Sequence, residues 1–219
     1  VGESGCGKST LTRTILGLQS ASSGYIKFDG KEVSKYDNNF KKNIQVVFQD
    51  PYGSFNPRQK IGRLITEPFF TLGREAPSET EQRIIAKKML KEVGLSSESI
   101  EKYIHEFSGG QRQRIAIARA LVIQPKLIIF DEAVSALDVS IRSQILKLIS
   151  DLTERYGLSY LFISHDLTVI ENITENCLVM KNGKIVERGQ TKHILRDPKN
   201  EYTLSLINAA PKFPNFLHA

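Results

Sequence analysis

Val1-Gly2-Glu3-Ser4-Gly5-Cys6-Gly7-Lys8-Ser9-Thr10 is the stretch on which the fold of this chain turns. Its spacing fits G-x-x-x-x-G-K-[ST], with Gly2, Gly7, Lys8 and Ser9 in the defining places. Glycines let the backbone curl so that successive N–H groups face a polyphosphate, and a helix starting near Gly7 adds its positive end. Lys8 offers a point charge to the β- and γ-phosphates, and the Ser9 hydroxyl a ligand for Mg²⁺. The bland alternative is a glycine-rich turn that caps a helix. A dinucleotide fingerprint is excluded, because Gly5-x-Gly7-x-x is followed by Thr10 rather than Gly or Ala.

The 219 residues suffice for one large domain or two small lobes. Hydrophobic content of 40% with 25% charged residues is that of an ordinary globular chain, so no fibrous or disordered class applies. No apolar stretch is long enough to span a membrane. Two cysteines, Cys6 and Cys177, make no C-x-x-C pair or zinc set and suit a reducing cytosol. The net charge of +6 suits nucleic acid, an anionic membrane face or a protein holding nucleotide phosphates, so charge alone decides nothing.

Further along, apolar residues at Leu11, Ile15, Leu16 and Leu18 continue the loop into a helix over Ser9–Leu18. The spacing predicts a hairpin over Gly24–Val33 about Asp29-Gly30, and a short strand over Ile44–Phe48 that ends at Gln49. From about Gln59 to Gln124 the pattern is helical, with Ser78 and Glu81 forming a capping-box signature. Leu127-Ile128-Ile129-Phe130 is an apolar run expected of a strand buried on both faces. A long helix follows with Ile141, Ile145, Leu148, Ile149 and Leu152 on one stripe. Tyr160–Ile163 reads as another buried strand, Leu178–Glu187 as a hairpin about Asn182-Gly183, then a short helix and a Pro-bearing tail. Alternating strands and helices argue a mostly parallel sheet, interrupted by an inserted helical lobe.

Two further sites carry chemistry. The Leu127–Phe130 strand ends in Asp131-Glu132, where one carboxylate can hold Mg²⁺ through water and the next can take a proton from an attacking water. Two acids at an exposed strand end are otherwise a common solubilising arrangement. The run Phe107-Ser108-Gly109-Gly110-Gln111 precedes an apolar helix; Ser108 is a natural N-cap, and the glycines expose the first turn as a second anion site. Read blandly, it is a well-capped helix with Arg112, Arg114 and Arg119 on its wet face. A nucleic-acid role for those arginines is weakened by the lack of interleaved aromatic residues.

Together these pieces resemble the ATP-binding-cassette (ABC) ATPases. Phe107–Gln111 stands where that family has LSGGQ. Gln49 follows a short strand, Asp131-Glu132 ends another, Ser135-Ala136-Leu137-Asp138 matches S-A-L-D, and His165 follows the next strand. The resemblance implies an α/β P-loop NTPase (RecA-like) core with a mostly parallel sheet and an inserted α-helical subdomain. The expected organisation is a nucleotide-binding core at 1–51 and 124–195, a helical subdomain at 52–123 and a tail at 196–219.

The resemblance also implies roles. Gly2, Glu3, Ser4, Gly5, Cys6, Gly7, Lys8, Ser9 and Thr10 would cradle ATP, and Ser9, Gln49 and Asp131 would hold Mg²⁺. Glu132 would be the general base, and His165 would contact the γ-phosphate; the bland alternative for His165 is a cap on the helix after Ser164. His105, His193 and His218 match no motif and are expected at the surface. Ser108, Gly109, Gly110, Gln111 and Asp138 would close over the nucleotide of the opposite subunit. Hydrolysis thus implies a head-to-tail pair with an identical or homologous second ATPase subunit.

Gln49 to Arg58 and Glu201 to Pro211 are similar to segments of importers for oligopeptides, dipeptides, nickel and related metal chelates. That branch implies permease partners, an indirect link to a solute-binding protein, and a peripheral position on the cytoplasmic face of the membrane. Ala133, where many importers carry proline, weakens a peptide-only assignment. A non-transport relative acting on nucleic acid or ribosomes is the alternative, but Lys8 to Ser108 is too short for a long coiled coil and zinc cysteines are absent. Family members carry strands and an adenine-stacking aromatic residue before the loop, so a truncated chain, poorly stable and weakly active alone, is expected.

Overall fold

A computed structural model describes residues 1–33 and 38–209. His218 and the Ala210-Pro211 end of the importer-like tail lie outside them. Two compact units are present: Val1–Ala21 with the chain from Phe162 onward, and Ser22–Leu161.

The first unit opens with the loop and helix α1 (Lys8–Ile15). This helix is shorter than the apolar spacing predicts. Gly17 takes a left-handed backbone (φ 71°), its N–H bonds Thr14 O at 3.1 Å, and the Leu18 N–H returns to Arg13 O at 2.8 Å. Glycine there closes the last turn and sends Leu18 into solvent, so its apolar side chain belongs to no helical stripe.

In the second unit, strands β1 (Lys27–Phe28) and β2 (Lys31–Glu32) pair antiparallel across Asp29-Gly30, both left-handed as a tight hairpin turn requires. Helix α2 (Asn38–Asn43) leads into β3 (Ile44–Phe48). The helical stretch comprises α3 (Ile61–Thr66), a 3-10 run (Glu67–Glu75), α4 (Glu79–Glu92), short 3-10 turns at Ser97–Glu101 and Ile104–Glu106, and α5 (Gly109–Leu121). Ser78 Oγ accepts the Glu81 N–H, and Glu81 Oε2 accepts the Ser78 N–H at 2.8 Å, the expected capping box. Ile61, Leu64, Leu90, Ile104, Ile115 and Ile117 are buried from water and hold these helices together.

Strand β4 (Leu127–Asp131) pairs parallel with β3, from Ile44 opposite Leu127 to Phe48 opposite Asp131. Ile128, Ile129 and Phe130 are buried, as an uninterrupted apolar run predicts. Helix α6 (Val139–Tyr156) follows, and β5 (Ser159–Ile163) completes the order β3-β4-β5. Its entry is fixed by the Ser159 N–H donating to Lys126 O at 3.0 Å.

The first unit continues with α7 (Leu167–Ile173) and the antiparallel pair β6 (Asn176–Lys181) and β7 (Lys184–Gln190). The turn between them is the expected left-handed Asn182-Gly183. Helices α8 (Thr191–Arg196) and α9 (Glu201–Ala209) follow. The second of these occupies a stretch read from sequence as part of the tail. Val1 lies against β6: its amino group donates to Leu178 O at 2.7 Å, and its carbonyl accepts the Met180 N–H at 2.8 Å.

Candidate functional site

The phosphate loop is shaped by contacts its glycines permit. Gly2, Gly5 and Gly7 all have positive φ, and a Cβ on Gly2 would lie 2.2 Å from Met180 O. Only glycine fits so close to β6. The Gly183 N–H reaches Cys6 O at 2.8 Å, so the β6–β7 turn braces the loop's other limb. Lys8 is buried, and its Nζ donates to Gly2 O at 2.8 Å and Glu3 O at 2.9 Å. The ammonium is therefore fixed by the loop it serves. Ser4, Gly5, Ser9 and Thr10 are exposed. Gly7, with no side-chain cap, begins α1, so the first-turn N–H groups suit an anion. Cys6 and Cys177 are free and buried.

One contact to this loop was not legible in the sequence. The Tyr202 hydroxyl, from α9, accepts the Glu3 N–H at 3.1 Å.

In the second unit, the β3–β4 register places Gln49 and Glu132 one step beyond the carboxyl ends of adjacent parallel strands. Ligands bind at that edge of open α/β sheets. Asp131 is buried, while Glu132 has a left-handed backbone, φ 51°. That conformation costs a non-glycine residue on the order of 1–3 kcal/mol and persists where its surroundings impose it. Here the Ser135 N–H and hydroxyl both donate to the Glu132 carbonyl, at 3.1 and 2.9 Å. A hydroxyl, an amide oxygen and a carboxylate (Ser9, Gln49, Asp131) are hard oxygen donors of the kind Mg²⁺ takes.

Ser108 caps α5: its Oγ accepts the Gln111 N–H at 3.4 Å, and Gln111 Oε1 accepts the Ser108 N–H at 3.0 Å. Ser108, Gly109 and Gln111 are exposed. Asp138 caps α6 through the Ile141 N–H at 2.9 Å and is exposed. His165, also exposed, is not a helix cap; Asp166 caps α7 instead, through the N–H groups of Thr168 and Val169. His105 and His193 lie at the surface, as expected.

The arginines after Ser108 do not form a free wet face. The Arg119 guanidinium sits 4.4 Å above the Phe55 ring and donates to Ser54 O and Oγ at 2.9 and 3.0 Å. Burial lowers its pKa, with Glu67 opposing that shift. Arg112 lies 4.8 Å over Tyr52, and Arg114 donates to Val93 O at 2.8 Å. The segment after Gln49 is thus pinned to the helix that Ser108 caps.

Comparison with known proteins agrees with this layout. A family model described as ABC transporter matches residues 1–135. The dipeptide transport ATP-binding protein DppF of Escherichia coli is 47% identical over 97% of this chain, which spans 64% of that relative's length. The oligopeptide transport ATP-binding protein OppF of the same organism is 48% identical over 96% of the chain and 64% of its own length. Among solved structures, cbiO1 from Clostridium perfringens, part of the ABC transporter complex cbiONQ, has a TM-score of 0.78 at 31% identity. It covers 90% of this chain and 78% of its own. A dimeric ATP-binding cassette in a post-hydrolysis state bound to ADP and Pi has a TM-score of 0.75 at 29% identity, covering 87% of this chain and 83% of its own.

Proposed function

The chain belongs to the ABC transporter family, and on that premise we propose that it is the ATP-hydrolysing subunit of an importer that powers peptide uptake through a membrane permease. The observation that carries this reading is the braced phosphate loop, with Lys8 held on Gly2 O and Glu3 O, in a chain so similar to dipeptide and oligopeptide transport ATP-binding proteins. Uptake of nickel or metal chelates is the narrower variant of the same role.

The reaction is ATP plus water to ADP and phosphate. Lys8 and the N–H groups from Gly5 to Thr10 take the charge of the β- and γ-phosphates. Ser9, Gln49 and Asp131 would hold Mg²⁺, which neutralises charge building on the phosphate oxygens. Glu132 accepts a proton from the water as its oxygen bonds the γ-phosphorus and the bond to the β–γ bridging oxygen breaks. His165 orients the γ-phosphate. Ser108, Gly109, Gly110, Gln111 and Asp138 act on the nucleotide of a second ATPase subunit, so ATP joins two copies head to tail and its cleavage lets them part.

The helical lobe, residues 52–123, passes this change to the permease, and the subunit works on the cytoplasmic face. Among the described residues no helix is long and apolar enough to cross a membrane. The test is uptake of a labelled dipeptide into vesicles holding the intact protein with its permease. Uptake should need ATP inside and should vanish with Lys8→Ala; ATP-independent uptake, or full activity in Lys8→Ala, would reject the reading.

A further inference from the structure

The peptide plane joining Gly2 to Glu3 is gripped at both ends. Its carbonyl, Gly2 O, accepts from Lys8 Nζ at 2.8 Å, and its N–H, on Glu3, donates to the Tyr202 hydroxyl at 3.1 Å. We propose that Tyr202 is a positioning residue for the phosphate site, holding this peptide so that the Lys8 ammonium stays in place for the triphosphate. The inference rests on the nucleotide-binding reading of the loop.

The need for such a hold follows from Gly2 itself. A peptide plane turns by opposite changes in the dihedrals on its two sides, and a glycine on one side makes that turn inexpensive. Were the plane to flip, Gly2 O would leave Lys8, and the ammonium would keep only Glu3 O of the two carbonyls. A hydrogen-bond acceptor on the Glu3 N–H opposes the flip. It also polarises the peptide, which makes the Gly2 carbonyl a better partner for a cation.

Tyr202 is itself firmly placed. It is buried, and its ring lies under Lys181 Nζ at 4.6 Å. Its N–H donates to Asn200 Oδ1 at 2.9 Å at the start of α9. The residues leading into α9 are tied to β7, because the Glu187 carboxylate accepts the N–H groups of Lys199 at 2.8 Å and Asn200 at 3.3 Å. A path of short contacts thus runs from β7 through α9 to the loop, all within one compact unit.

Tyr202→Phe in the intact protein is the test, since it keeps the ring, its packing and its contact with Lys181 while removing the acceptor. The expected result is a KM for ATP raised about 3- to 10-fold, from losing one buried hydrogen-bond partner. Alongside it, kcat should stay within about twofold, and the melting temperature without nucleotide should fall by only a few degrees, as the loss of one hydrogen-bond acceptor requires. Tyr202→Ala, which also loses the ring, should lower that melting temperature as well. An unchanged KM in Tyr202→Phe overturns the inference, and so does a fall in activity that only tracks lost thermal stability. If the unaltered protein fails to bind ATP, the nucleotide reading itself falls and this inference goes with it.

Discussion

Helices α1 and α5 both start beside a glycine, and they treat their free N–H groups in opposite ways. Helix α1 starts at Gly7 with no side-chain cap, behind a loop braced by Met180, Gly183, Lys8 and Tyr202. Helix α5 starts behind Ser108, where the reciprocal cap with Gln111 pairs the N–H groups of those two residues. The first end is shaped by its own unit into a receptor for anions. The second carries its own side-chain cap and stands exposed. In its capping contact the Ser108 oxygen only accepts, so its proton can still be given to an anion from outside. An end of that kind fits an incoming group, which on the proposed function is the triphosphate held by another copy.

The largest expected effect tests whether those two ends meet. Glu132→Gln should slow hydrolysis by about 10²–10⁴-fold while leaving ATP binding intact. With ATP present, the intact variant should accumulate as closed pairs in analytical ultracentrifugation. Persistent monomers that bind ATP would break the comparison, since each copy would then seal its own nucleotide.

Mixing inactive variants probes the same seam from another side. Lys8→Ala and Ser108→Ala should each be strongly impaired alone. In a mixed pair, one composite site keeps Lys8 from one copy and Ser108 from the other. Hydrolysis should therefore reappear on mixing, in proportion to the mixed pairs formed. No recovery, with pair exchange shown by fluorescence transfer, would mean both residues serve one site within a single copy.

The two glycines at the start of α5 sharpen the contrast further, because they are small for different reasons. A Cβ on Gly110 would lie 2.5 Å from Ile141 Cγ2, so this glycine lets α5 approach α6. Gly110→Ala should cost about 1–3 kcal/mol of stability through overpacking. The corresponding atom on Gly109 would come no nearer than 4.0 Å to its closest neighbour, Leu137 Cδ2. Alanine is the better helix former, so Gly109→Ala should leave stability unchanged or raise it by up to about 1 kcal/mol. On the proposed function it should nonetheless reduce hydrolysis, because the added methyl would stand in the way of a partner's nucleotide. Urea midpoints and turnover of the two variants would separate a glycine kept for the core from one kept for a partner.

Much of this layout was legible beforehand, and the parts that were not share a cause. Strands β3 and β4, the Ser78 and Ser108 caps and both tight hairpin turns stand where periodicity and turn chemistry put them. Each rests on neighbours within a few residues. Arg119 reading as a wet-face residue, and Tyr202 reading as tail, fail for the converse reason. Their partners, Ser54 and Glu3, lie 65 and 199 positions away in the chain. A long polar side chain has the same local pattern whether it ends in solvent or on a distant carbonyl. Leu18 differs: it stands at helical spacing, but the left-handed Gly17 beside it ends the helix first.

The smallest expected effect concerns the support behind the α1 loop. Burial tends to raise the pKa of Glu187, but the Lys199 N–H, the Thr203 hydroxyl, the Asn200 N–H and the Lys199 charge together outweigh that, and the net shift is downward. A carboxyl with a depressed folded pKa adds stability that is fully present above its unfolded value, about 4.3. That stability is lost as pH falls through the folded value. Acidification below about pH 4.3 should thus loosen the entry to α9. Glu187→Gln should make that part of the melting curve's pH dependence shallower, with little change at neutral pH. If the variant's acid profile matched the unaltered protein's, the Glu187 carboxylate would not be what holds α9, and Tyr202 with it, against the loop.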